Sequence, residues 1–122
     1  LSFEPVSGLT RRQVVDLLRR AKVYIDFGYH PGRDRLPREA AALGCCILVG
    51  LRGSARNEVD MPIPREFKFS VEDASIPGIV RAIELCVGNY ERVTRRFEDY
   101  RSRIAQERTI FLKRLRAVFV RD

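Results

Sequence analysis

Along the first 50 positions, hydrophobic residues alternate between two patterns: short continuous runs typical of strands, and the spacing typical of helices. Short apolar runs predict three strands, at residues 2–6, 22–27 and 45–50. Between the first two, apolar residues at steps of three and four predict a helix over 11–21, capped by Thr10. A second helix is predicted to start at Leu36 or Pro37, because Pro is preferred in the first turn, and to stop at Gly44. Strand, helix, strand, helix, strand within about 50 residues indicates parallel strands joined by crossover helices.

The second half of the chain is mainly helical in pattern. A polar stretch with Pro62 and Pro64 precedes a short edge strand at 67–69 and a helix over 76–88. Asn89 is expected to cap a last, long helix that ends near Phe119. A narrow apolar stripe along it comprises Tyr90, Val93, Phe97, Tyr100, Ile104, Phe111, Leu115 and Val118.

These elements predict an α/β fold: a Rossmann-like three-layer α/β/α arrangement with a short parallel sheet and a long C-terminal helix. Three strands are few for an open sheet. We therefore expect residues 1–88 to form a partial Rossmann-like nucleotide-sugar-binding domain. Residues 89–122 are expected to form an amphipathic basic helix that packs on the same domain or on a partner, including a second copy through 90–118.

Charge is distributed unevenly along the 122 residues. The net charge is +7, and residues 88–122 hold 10 basic and 5 acidic side chains. The excess on the last helix could face nucleic acid, acidic lipid or an acidic partner, or be solvated. Neither a membrane-spanning run nor a secretory signal is recognisable, so a cytoplasmic protein is expected, with a peripheral position at the inner membrane face left open.

The three cysteines do not suggest a metal site. Cys45 and Cys46 are adjacent in a strand and so point to opposite faces, while Cys86 lies in a helical pattern. Their spacing matches no zinc motif, and the one histidine, His30, could not complete one. Three buried free thiols, with no metal or other cofactor, are therefore expected.

The loop after the second strand carries the strongest chemical signal. It reads GYHPGRDRLPRE, with Arg33, Arg35 and Arg38 close to the start of a helix. Free N–H groups, the positive helix end and guanidinium groups together favour a phosphate. Glu39 could point back and accept hydrogen bonds from sugar hydroxyls. In the alternative, this is a surface loop in which Asp34 and Glu39 pair with the arginines.

The stretch from AKVYIDF through GCCILVG to SARNEV resembles the donor site of GT-B-fold glycosyltransferases, in particular the large retaining family that uses nucleotide sugars. The matching positions are Gly32, Pro37, Glu39, Ala40, Gly44, Gly53 and Glu58. The resemblance covers about residues 2–88. It implies that Glu39 holds the ribose of the donor nucleotide and that Gly32 lies against the phosphates or the transferred sugar.

The sequence departs from that family at several positions. Pro31 stands where the family usually has a second glutamate, beside the donor sugar, so the catalytic residues are unknown. His30 is adjacent and could contact the sugar instead. Asn57 and Glu58 could reach the sugar if their loop folds over the site, although they could equally belong to a surface loop.

The resemblance implies the donor-nucleotide-binding portion of a glycosyltransferase, which uses a nucleoside diphosphate sugar as substrate and requires no metal. The acceptor-binding domain would lie in a missing N-terminal part or a partner chain, so this portion alone is expected to be inactive. The alternatives are a non-catalytic Rossmann-like assembly module and a basic-helix binder of nucleic acid or membrane. Nucleic acid is disfavoured because the aromatic residues of the last helix fall on its apolar stripe.

Overall fold

The computed structural model describes residues 2–28 and 35–120, with side chains described as far as Lys113. The fold is mixed α/β, with a small parallel sheet and a long C-terminal helix. Its strands are β1 (Val23–Asp26), β2 (Cys46–Gly50) and β3 (Lys68–Phe69). Its helices are α1 (Arg11–Arg20), α2 (Arg35–Ala42), α3 (Ile76–Gly88), α4 (Tyr90–Val93) and α5 (Glu98–Val120). Short 3₁₀ turns lie at Gly53–Arg56, Arg65–Phe67, Asp73–Ser75 and Thr94–Phe97.

The sheet has the order β1-β2-β3, and both pairs of strands are parallel. Val23 pairs with Cys46 in the first pair, and Val49 pairs with Lys68 in the second. All five residues of β2 are buried, which explains why this central strand is an unbroken apolar run. The predicted parallel sheet is thus confirmed, and the edge strand predicted at 67–69 is observed as Lys68–Phe69.

Helix α1 begins as its sequence predicts. The Thr10 side chain accepts a hydrogen bond from the Gln13 backbone N–H, and the Gln13 side chain accepts one from the Thr10 N–H. This reciprocal capping box satisfies two of the N–H groups that a helix start leaves without a partner. The N-cap assigned to Thr10 is therefore confirmed.

The strand predicted at residues 2–6 is wrong. The segment has no regular secondary structure, and Phe3 is 68% exposed. Residues 2–5 bury no face against the core, and Pro5 has no N–H with which to bond a neighbouring strand. An apolar composition without a buried face or a pairing partner is not sufficient for a strand.

The last helix is interrupted rather than continuous from residue 89. Helix α4 is followed by the 3₁₀ turn Thr94–Phe97, and only then does α5 begin. The Asn89 side chain makes no capping hydrogen bond; its backbone carbonyl accepts from the N–H groups of Arg92 and Val93 instead. The side-chain cap predicted at Asn89 is therefore wrong, although helical structure does follow it.

The core lies on both sides of β2 and extends to the start of α5. Phe67 and Phe97 are both almost fully buried, and their ring centroids are 4.9 Å apart at an angle of 51°. Tyr100, in the first turn of α5, is also buried. The apolar stripe of the last helix thus packs on the same domain as far as this region. Among the described residues, no helix combines the length and the apolar character needed to cross a membrane.

The three cysteines are free and buried, as the sequence predicts. The Cys45 thiol donates to the backbone carbonyl of Leu18 at 3.2 Å. Burial, with a smaller contribution from Cys46, raises the pKa of Cys45 to about 11. A hydrogen bond with Cys86 lowers the pKa of Cys46, but all three residues have 0% exposure, so a reagent cannot reach them in the folded state.

We expect the native chain at pH 8 to react with a thiol reagent at least about 100-fold more slowly than the urea-unfolded chain. The raised pKa of Cys45 leaves little thiolate, and burial blocks access to all three sulfur atoms. Absorbance after mixing with an aromatic disulfide reagent measures both rates, and the unfolded chain serves as the control. A rapid phase of one equivalent in the native chain would contradict the expectation.

Candidate functional site

The carboxyl ends of the three parallel strands lie at one edge of the sheet. At this edge β1 ends at Asp26, β2 at Gly50 and β3 at Phe69. Helices α1 and α2 connect to the opposite ends of β1 and β2 through short turns, so their N-termini face the same edge. Open parallel sheets bind ligands at this edge, where backbone N–H groups and helix N-termini are available.

Glu39 lies one turn into α2, with 20% of its side chain exposed, and is held by two arginines. Arg11, the first residue of α1, donates from Nη1 to Oε2. Arg35, the first residue of α2, donates from Nε to Oε1 at 2.7 Å. The carboxylate thus joins the beginnings of the two helices that flank β1.

Glu39 is ionised at neutral pH. Burial raises the pKa of its carboxyl, but hydrogen bonds from Arg11 and Arg35, together with their charges, outweigh burial and hold the pKa below its ordinary value. Because the folded pKa is depressed, the pairing stabilises the fold above the ordinary carboxyl range and is lost as the pH falls through the folded pKa. The site therefore presents a fixed carboxylate flanked by two guanidinium groups.

Of the other residues that the sequence assigned to donor binding, Arg38 points elsewhere. Its Nη2 donates to Oε2 of Glu107 at 2.6 Å, which ties α2 to α5. His30, Gly32 and Arg33 lie outside the described residues. The structure thus brings together Arg35 and Glu39 from the predicted set, and adds Arg11.

The loop after β2 places Asn57 and Glu58 in local contacts. Asn57 Oδ1 accepts from the N–H groups of Val59 and Asp60, at 3.0 and 2.7 Å, and so closes a turn. Glu58 Oε1 lies 3.7 Å from Nζ of Lys68, whose side chain is only 3% exposed. Both residues are exposed. Their contacts are those of a surface loop, one of the two alternatives that the sequence left open.

An open cleft of about 730 Å³ lies at the carboxyl ends of β2 and β3. It is lined by Leu51, Arg52, Arg56, Ser70, Val71 and Glu72. Arg56 Nε donates to the carbonyl of Leu51 at 3.1 Å, and Arg52 Nη1 lies 3.5 Å from the carbonyl of Phe27, just after β1. These contacts hold both guanidinium groups at the edge of the sheet.

Gly50 lets the segments at this edge approach closely. A Cβ atom at this position would lie 2.8 Å from Cγ2 of Val71 and 3.0 Å from Cδ1 of Phe27. The residue at the end of β2 must therefore be small for the loops after β1 and β3 to meet there.

Sequence reasoning missed Arg11, Arg52 and Arg56. The two loop arginines carried a usable signal, because RGSAR begins two residues after a buried strand, where ligand-binding loops of parallel sheets begin. Arg11 carried none, because it lies 28 positions from Glu39 and only the fold brings the two together. No group of three or more potential metal ligands occurs among the residues that the structure describes.

Comparisons of the chain with family models, with curated proteins and with solved structures found no significant match.

Proposed function

We propose that the chain is the donor-nucleotide-binding portion of a glycosyltransferase, and that it holds the nucleoside diphosphate part of a nucleotide sugar at the carboxyl edge of its sheet. The observation that carries the proposal is the fixed, ionised carboxylate of Glu39, held by Arg11 and Arg35 at that edge. The resemblance of the segment around it to donor sites assigns this same glutamate to the ribose.

The arginine pairs leave Glu39 able to accept further hydrogen bonds. A carboxylate offers about four lone-pair positions, and the two arginines use one on each oxygen. Both oxygens can therefore accept from the 2′- and 3′-hydroxyls of a ribose while the arginines stay in place. Because the pairing fixes the carboxylate before a ligand arrives, little side-chain freedom remains to be lost on binding.

The same residues give the edge a positive character suited to a diphosphate. Arg35 is 76% exposed at the first residue of α2, where the helix dipole also favours an anion. Arg52 and Arg56 add two guanidinium groups in the neighbouring cleft. In this proposal the arginines neutralise the phosphates, and Glu39 orients the nucleoside.

The small sheet agrees with a portion of a larger Rossmann-like three-layer domain. Among the described strands, β1 pairs only with β2, so the outer edge of β1 is available to a further strand. We place the acceptor-binding domain, and the catalytic residues that the loop does not supply, in another segment or a partner chain.

The Arg35–Glu39 pair is also what the surface-loop alternative predicts, so nucleotide binding must be measured directly. We expect calorimetric titration of the purified chain with UDP, GDP and ADP to show saturable binding of one of them. Glu39→Ala should weaken that binding by about 1–3 kcal/mol, or roughly 5- to 150-fold, because a hydrogen bond to a charged group is lost.

Glu84→Ala is the matched control, because it removes an exposed glutamate from a helix away from the carboxyl edge. Circular dichroism establishes that both variants are folded. The proposal fails if the folded chain binds none of the three nucleotides. It also fails if the two glutamate variants bind equally well.

A further inference from the structure

Helix α5 extends beyond the part of the domain on which it packs. Tyr100 is buried and Glu107 is paired with Arg38 of α2. Just beyond this pair, Ile110, Phe111 and Leu112 are 48%, 63% and 52% exposed, although all three are large and apolar. Because consecutive helical residues are about 100° apart, three exposed neighbours mean that the helix is uncovered on several sides there.

The charge of the helix changes at the same point. Residues 89–107 contain five basic and four acidic side chains. Residues 108–121 contain five basic side chains and no aspartate or glutamate. The same 14 residues include eight apolar ones, and the helical backbone continues to Val120. The end of α5, which projects at residues 110–112, thus exposes apolar side chains within a stretch of sequence that carries positive charge and no acidic residue.

We propose that the projecting segment, residues 108–120, binds an anionic membrane surface. A helix that is rich in Lys and Arg and also exposes Phe and Leu is suited to lie in the headgroup region. Its apolar side chains enter the boundary of the acyl chains, and its cations contact the lipid phosphates. The segment then holds the domain at the surface without crossing the bilayer.

A second copy of the chain is a poorer occupant on electrostatic grounds. Pairing two such segments, each with four basic residues, would bring eight basic side chains together with no acidic one to oppose them. Like charges at a helix interface destabilise it. An anionic bilayer supplies both a negative charge and an apolar environment. The described residues supply neither of these to the segment.

Vesicle flotation with the whole chain tests the proposal. We expect binding to phosphatidylcholine vesicles with about 30 mol % phosphatidylglycerol to exceed binding to pure phosphatidylcholine by about 10-fold or more, and to weaken as salt is added. The double substitution Phe111→Ser with Lys113→Glu should lower the binding by about 10-fold or more, because it removes an apolar anchor and reverses one charge.

The matched control is Phe3→Ser with Arg12→Glu, which makes the same chemical changes at exposed positions outside α5. Its binding should stay within about twofold of the original chain. Equal binding to the two kinds of vesicle overturns the proposal, as does an equal loss in the control. Two further results would overturn the proposal and assign the segment to another partner. One is a dimer in sedimentation equilibrium that the Phe111→Ser with Lys113→Glu variant no longer forms. The other is binding of RNA, without binding of vesicles, that the same variant abolishes.

Discussion

Replacing Phe97 by alanine should lower the free energy of unfolding by about 3–5 kcal/mol, the range for truncation of a fully buried aromatic residue. Phe97 is 0% exposed, and its ring lies 4.9 Å from that of Phe67. It ends the 3₁₀ turn between α4 and α5, so its ring joins the C-terminal helices to the core around the sheet. Alanine would leave a cavity between the C-terminal helices and the core around the sheet.

Urea unfolding followed by circular dichroism measures the effect. The total stability of a domain of this size is about 5–15 kcal/mol, so the loss is a large fraction of it and the midpoint of the variant should be much lower. Phe97→Leu, which retains most of the volume, should give an intermediate loss and keeps the test informative if the alanine variant does not fold.

Phe111→Ala is the matched control, because this phenylalanine also lies in the C-terminal helical region but is 63% exposed. Its stability should change by no more than about 0.5 kcal/mol. Equal midpoints for Phe97→Ala and Phe111→Ala would mean that the start of α5 is not part of the cooperative core. The projecting segment would then have no rigid attachment to the domain.

Elements with a strong periodic pattern could be predicted from the sequence. The strand predicted at 45–50 is observed as Cys46–Gly50, because its unbroken apolar run needs burial on both faces. The helix predicted at 76–88 is observed at those residues. Residues 2–6 have a similar composition, but whether they form a strand depends on a pairing partner, which a local pattern does not reveal.

The break in the last helix could not be predicted from spacing. Apolar residues continue in steps of three and four through Val93, Phe97 and Tyr100, and all three are buried in the structure. The apolar spacing therefore does not show that the hydrogen-bond pattern changes to 3₁₀ at Thr94–Phe97.

The candidate site was predictable only where its contacts are local. Arg35 and Glu39 are four residues apart on one helix, which is a spacing that allows an ion pair. Arg11 comes from another helix, and its contribution depends on how α1 packs beside α2. The chain contains 20 arginines, and no local feature of the sequence marks Arg11 as the one that pairs with Glu39 rather than being solvated.

The contacts of Arg101 likewise depend on the fold and could not be predicted from the local sequence. Its replacement is the second change that we expect to lower the stability strongly. Its guanidinium donates to the carbonyl of Ala41 at 2.6 Å, of Thr94 at 2.8 Å and of Cys45 at 3.1 Å, and to the Thr94 hydroxyl at 2.8 Å. Ala41 lies in the last turn of α2, where carbonyl groups lack helical partners and a cation is favoured.

Arg101→Ala should lower the free energy of unfolding by about 2–4 kcal/mol, because it leaves several partly buried carbonyl groups without a donor. Arg101→Lys should restore only part of that loss, since an ammonium group cannot reproduce the planar fork of a guanidinium. Urea unfolding of the two variants measures both effects.

Arg103→Ala is the control on the same helix, because its guanidinium pairs with exposed Asp99 at 3.3 Å and is itself about half exposed. Its effect should stay within about 0.5 kcal/mol. If Arg101→Ala were as mild as Arg103→Ala, water would satisfy the three carbonyl groups equally well. The attachment of α5 to α2 would then rest on the Arg38–Glu107 pair and on apolar packing rather than on the guanidinium of Arg101.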